Sequence, residues 1–187
     1  MVSLFTSISA HGNDVSILQN GYSGTVALEL SKQSENLDLT VNQGGIENLL
    51  DATFESGITA HINQFGDYGR IDLHTRSGAD NRLEINQSGE RNTLSGDLSG
   101  HSVTGIFHQS GTDNNLDFDL SIGSGNIDVD QAGTNNQTQL SLRGGGFDIG
   151  VTQHGAQNII DMNLSGSNVK LDVEQRGNGE TVTIDHY

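Results

Sequence analysis

The triplet Gln-x-Gly occurs eight times at nearly constant spacing, and no other feature limits so strongly what this chain can fold into. The glutamines are Gln19, Gln43, Gln64, Gln87, Gln109, Gln131, Gln153 and Gln175, separated by 24, 21, 23, 22, 22, 22 and 22 residues. The paired glycines are Gly21, Gly45, Gly66, Gly89, Gly111, Gly133, Gly155 and Gly177. Self-similarity at such a period is the mark of a repeat architecture, in which one unit cannot bury its own apolar face and stacked neighbours share a core.

Counting from each Gln, the second residue before it is β-branched or aromatic in every copy: Ile17, Val41, Ile62, Ile85, Phe107, Val129, Val151 and Val173. The fourth before it is Val15, Leu39, Ala60, Leu83, Gly105, Ile127, Ile149 or Leu171. The approach to the Gln thus alternates apolar and polar, the period of a half-buried strand. Five residues after the Gln stands Asn48, Asn92, Asn114, Asn136 or Asn158. Positions plus seven, nine and eleven alternate again, as in Leu116, Phe118 and Leu120 or Ile160, Met162 and Leu164, and a looser turn rich in Gly and Ser follows. The unit reads as strand, tight turn, strand, looser turn, and the fold class as all-β: a β-solenoid of eight stacked units of about 22 residues each.

Stacking at the strand spacing of about 4.8 Å turns each column of the repeat into a line of like side chains. The Gln shares parity with the apolar positions before it, so it faces inward and forms a buried amide ladder, each amide donating to the next. The glycine two residues on supplies the positive φ of a sharp turn, and the five asparagines form a second ladder at that turn. Residues 13–187 belong to this one domain. Residues 1–12 are a leader or a half-repeat, because Leu4, Thr6 and Ile8 fit plus seven, nine and eleven of a missing Gln. Met1 to Gly12 has neither the basic start nor the long apolar core of a signal peptide.

Composition excludes several functions. The net charge is −16, opposite to the basic footprint of nucleic-acid binders, and no run of apolar residues is long enough to insert in a membrane. With no Cys there is neither a disulfide framework nor a thiolate metal site, and no Pro interrupts a ladder. The seven histidines, His11, His61, His74, His101, His108, His154 and His186, occupy different repeat positions, so no catalytic set, metal site or cofactor is expected, and the chain does not read as an enzyme. The acids alternate instead. Three before the Gln, from copy four, stand Glu84, Ile106, Asp128, Gly150 and Asp172; at plus eight stand Ser95, Asp117, Gln139, Asp161 and Thr183. An acid at every second rung halves the repulsion between stacked carboxylates. A cation site between rungs is the other reading of these columns.

The pattern Gln-x-Gly-x-x-Asn with alternating strands resembles the curlin repeat, the subunit of curli fibres. The segment from Asn36 to Gly45 and the end, Gln175-Arg-Gly-Asn-Gly closing at Tyr187, are similar to curlin text. Two features depart from it. Plus eleven, where curlins usually repeat the Gln, is Leu30, Phe54, Thr75, Leu98, Leu120, Leu142, Leu164 or His186. Plus seven, usually Ala there, is mostly Val, Leu or Ile. The resemblance implies a secreted, extracellular, cell-surface fibre that builds biofilm matrix and mediates adhesion. It also implies three partners: further copies of this chain, a nucleating subunit and a dedicated outer-membrane secretion channel. Open strand edges at the two ends of a solenoid template further pairing, and a head-to-tail contact that does not close builds a filament. The acidic columns are expected to slow assembly near neutral pH.

Three rivals remain: a minor nucleating subunit, whose last repeat would be basic or atypical; a non-polymerising ligand-binding β-solenoid; and a calcium-binding β-roll. The last is hinted at by residues 123–128 but needs a nine-residue period.

Overall fold

The computed structural model describes residues 14–30, 38–54, 58–75, 81–121 and 123–187. The expected leader or half-repeat at 1–12 and the looser turn at 32–35 lie outside them. The described chain is all-β, a stack of parallel rungs with two arcs per repeat.

The first arc forms one eight-stranded parallel sheet. Its strands are Val15–Tyr22, Asp38–Ile46, Ile58–Asp67, Asn81–Glu90, Thr104–Thr112, Ile127–Thr134, Val151–Ala156 and Val173–Asn178, paired in chain order. Every Gln lies opposite the next Gln, from Gln19 to Gln43 through to Gln153 and Gln175. The unequal spacings of the early copies are therefore taken up outside this sheet. Each first-arc strand ends three residues past its Gln.

Residue plus four then reverses the chain in the left-handed region, and it does so in all eight copies: Ser23, Glu47, Tyr68, Arg91, Asp113, Asn135, Gln157 and Gly179, with φ between 52° and 71°. This differs from the sequence reading, which put the sharp turn at the Gln-x-Gly glycine. That glycine sits inside the strand. From copy two onward it does have positive φ, from 108° at Gly89 to 144° at Gly177, but a second constraint explains its identity better. A Cβ on Gly133 would stand 1.8 Å from the carbonyl oxygen of Gly155 in the next rung, and one on Gly111 2.0 Å from that of Gly133. Gly21 shows this close approach too, at 1.9 Å from Gly45 O. The column is glycine because rungs touch backbone to backbone there.

The second arc departs further. A regular strand to plus eleven occurs in the first two copies, Thr25–Leu30 and Leu49–Phe54. In copies five and six it shortens to Asn115–Asp117 and Gln137–Gln139. The chain then kinks through left-handed Asp119, Ser121 and Ser141, residue types whose short polar side chains lower the cost of that region. The alternation nonetheless holds: Leu116, Phe118 and Leu120 are all buried, as are Leu140 and Leu142.

The core lies between the arcs and runs the length of the stack. Inward residues come from minus four and minus two on one side and plus seven to eleven on the other. Val103, Phe147 and Ile58, at minus six, close a corner. Each fully buried side chain of this kind contributes about 1.5–3 kcal/mol. In copy five Phe107 and Phe118 meet edge to face at 4.3 Å. Gly105 makes the room, since a Cβ there would fall 2.6 Å from the Phe107 ring. The outermost rungs are less covered: Val15, Ile17, Val182 and Ile184 are only partly buried.

Candidate functional site

The Gln column is a single directional chain of hydrogen bonds. Gln19 Nε2 donates to Gln43 Oε1 at 2.7 Å, and the same bond repeats to Gln64, Gln87, Gln109, Gln131, Gln153 and finally Gln175, none longer than 2.9 Å. From Gln43 onward every one of these side chains is buried. The second N–H fixes which amide atom is nitrogen. Gln87 Nε2 also donates to Arg70 O, Gln131 Nε2 to Asn115 O and Gln153 Nε2 to Gln137 O, at 3.0–3.2 Å. Those acceptors lie on the second arc of the preceding rung, so the ladder ties the two arcs together.

A one-way ladder has unlike ends. Gln19 Oε1 is buried and accepts no hydrogen bond; Gln175 Nε2 is buried and donates none. One end is short of a donor and the other of an acceptor. Leaving such a group unsatisfied costs about 1–3 kcal/mol.

The asparagines at plus five bond through the backbone instead of to one another. Asn114 Nδ2 donates to Ser110 O in its own rung and to Gly133 O in the next, while its Oδ1 accepts from Asn136 N. Asn48, Asn92, Asn136 and Asn158 each donate to the corresponding two carbonyls. Where Gly69 replaces Asn, its N–H still donates to Asn48 Oδ1 at 2.9 Å. In the last copy Glu180 takes the position, and its N–H donates to Asn158 Oδ1.

An outward amide ladder also exists, which the sequence reading missed because on the outward face it followed only the acids. Asn42 donates to Asn63 and Asn63 to Asn86, both at 2.9 Å, and Asn86 meets the His108 ring. Its signal was available: the residue before the Gln is Asn in three successive copies. Also unanticipated is a group of exposed apolar side chains in the first three copies, Leu18, Tyr22, Ile46, Phe65 and Tyr68.

The acidic columns lie as the alternation predicts, with Ile106 in register between Glu84 and Asp128, and Gln139 between Asp117 and Asp161. Glu84, Asp128, Asp130, Asp148, Lys170 and Asp172 contribute to one open groove of about 720 Å³. Lys170 reaches Asp148 at 2.8 Å, and the hydrogen bond from Lys170, aided by its charge, holds the Asp148 carboxyl below the usual range. At the other turn Arg91 grips Asp113 with two bonds of 2.7 and 3.0 Å, lowering Asp113 in the same way. Among the described residues no three His, Asp or Glu side chains gather as metal ligands, and no helix is long and apolar enough to cross a membrane. His154 lies 3.7 Å from Asp130 and His74 lies 3.9 Å from Asp97, both at the surface.

Comparison of the chain with protein-family models, with curated proteins and with solved structures finds no match to any of them.

Proposed function

We propose that this chain is the structural subunit of a curli-like extracellular functional amyloid fibre, polymerising head-to-tail into biofilm matrix and adhesive fibres. The observation that carries the reading is the pair of unsatisfied atoms at opposite ends of one ladder. Gln175 Nε2 lacks an acceptor and Gln19 Oε1 lacks a donor; a second copy stacked in register supplies each with the other. The first and last strands of the eight-stranded sheet, Val15–Tyr22 and Val173–Asn178, are its two edges, and the partly buried Val15, Ile17, Val182 and Ile184 gain cover in the same contact. The Gln-x-Gly-x-x-Asn motif supports the curli assignment, and with it a nucleating subunit and an outer-membrane channel as partners.

The test is electron microscopy of the purified protein after a day at micromolar concentration, read beside thioflavin T. Unbranched, dye-positive fibres are expected, with seeded growth faster near about pH 5 than near about pH 7.5, because the chain's net negative charge is smaller at the lower pH. A Gln175→Leu variant is expected to remain folded and to grow markedly more slowly. A stable monomer under all conditions would overturn the reading. It would favour a ligand-binding solenoid, for which the groove around Asp128 and the exposed Tyr22, Phe65 and Tyr68 offer surfaces.

A further inference from the structure

The two ends of the ladder complement each other at the Gln column but not at the asparagine column. In six successive rungs, from Gly45 to Gly155, the atom nearest to where a glycine Cβ would stand is the carbonyl oxygen of the next rung's glycine, at 1.8–2.0 Å. At Gly177, in the last strand of the described sheet, the pattern changes. The nearest atom is Glu180 Oε1 of the same rung, at 2.6 Å. The Glu180 carboxylate has folded back into the space that an incoming rung's glycine carbonyl would take.

We infer that Glu180 is a gate on the joint between copies: the tail face accepts the head face of a second copy only after the Glu180 carboxylate has moved out of the Gly177 site. The inference rests on the head-to-tail reading above. Its chemistry follows from the interior rungs. At plus five an asparagine makes three bonds, one within its own rung and two to the next: Asn158 Nδ2 donates to His154 O in its own rung and to Gly177 O in the next, and Asn158 Oδ1 accepts from Glu180 N of the next. At the joint the matching groups are Arg176 O and Gly177 on the tail, and Gly21 O and Gly24 N on the head. An ionised carboxylate can accept from Gly24 N. It has no hydrogen to give to Arg176 O or Gly21 O, and it places negative charge against both oxygens. Glycine at position 24 is no obstacle. The step from copy two to copy three already joins an asparagine to a rung with glycine at plus five, through Gly69 N to Asn48 Oδ1 and Asn48 Nδ2 to Gly66 O at 2.7 Å. An asparagine at 180 would reproduce that step between molecules.

The experiment compares elongation per fibre end, by time-resolved imaging of single fibres near neutral pH, for the full chain, for Glu180→Asn and for Asp161→Asn. Each variant grows on seeds of its own kind. Asp161→Asn removes the same charge from an exposed site one rung earlier. The expected result is growth on the order of tenfold faster for Glu180→Asn, the scale of one buried carbonyl regaining its donor, with Asp161→Asn giving only the much smaller gain of one fewer column charge. Fibres that grow equally fast in Glu180→Asn and the unsubstituted chain would overturn the gate while leaving the head-to-tail reading standing. Equal acceleration by both substitutions would also overturn it, assigning the effect to net charge. Absence of fibres from all three chains would overturn the head-to-tail reading and the gate with it.

Discussion

The two arcs of each repeat carry comparable apolar columns, yet only one of them forms an unbroken sheet. The first arc runs through eight strands in register. The second divides into two four-stranded groups, centred on copies one to three and five to eight, joined through Thr93 by single bridges to Arg70 and Asn115. The difference lies in the polar columns. On the first arc, the Gln side chains and the plus-five asparagines each reach a specific atom one rung away, and the glycine backbones touch. These contacts are directional, and a slip of one residue would break all of them together. On the second arc the inward residues are mostly aliphatic or aromatic, with Thr75 and Thr138 the buried polar exceptions, and apolar side chains bury equally well with the backbone extended or kinked. An apolar column fixes what faces inward; a hydrogen-bonded column also fixes how the backbone gets there.

The sharpest break of this comparison is a methyl group. Gly133→Ala puts a Cβ 1.8 Å from a backbone oxygen at a φ of 127°. Neither rung can yield without parting from its neighbour, so a loss of more than about 3 kcal/mol is expected, read as collapse of the cooperative urea transition. Gly144→Ala, at the far corner, meets nothing within 4 Å and should stay within about 0.5 kcal/mol of the parent. Similar losses from both would mean that the arcs are equally constrained.

A volume-conserving swap gives the next largest contrast. Gln131→Leu keeps the bulk but strands Gln109 Nε2 and leaves Gln153 Oε1 with only the Thr138 hydroxyl as donor, for a loss of about 2–4 kcal/mol in the same urea experiment. Leu140→Met, buried on the second arc, should cost less than about 1.5 kcal/mol. A small effect of Gln131→Leu would show that packing alone holds the register.

The same contrast explains what the sequence disclosed. The period of the Gln triplets and the alternation around them specify the stack, the inward residues and the rung-to-rung register, because those follow from side-chain type at fixed spacing. The left-handed turn at plus four is invisible. Ser23, Glu47, Tyr68, Arg91, Asp113, Asn135 and Gln157 share no chemistry, and the surrounding bonds impose the conformation against an intrinsic cost of roughly 1–2 kcal/mol each. Only Gly179 hints at it. The direction of the amide ladder was equally hidden, since a Gln column reads the same both ways until the carbonyls of Arg70, Asn115 and Gln137 orient it. The kinks at Asp119 and Ser141 leave the apolar alternation intact and so leave no trace in it.

The smallest effect concerns the turn that joins the arcs. Arg91 and Asp113 both occupy the left-handed position, in adjacent rungs, and their side chains pair across the stack. The hydrogen bonds from Arg91, with its charge, hold the Asp113 carboxyl below the ordinary range. A carboxyl lowered by folding stabilises the fold above its unfolded pKa of about 3.9 and loses that contribution as pH falls through the lower folded value. Arg91→Met should therefore return the Asp113 midpoint, followed by carboxyl NMR, to the ordinary range. It should remove the matching loss of stability on acidification below about pH 3.9. At neutral pH the change in stability should be slight, because exposed ion pairs contribute little and the ladder beneath already sets the register. A neutral-pH loss rivalling that of Gln131→Leu would reverse the order of causes argued here, making the surface pair, not the buried amides, the element that aligns the rungs.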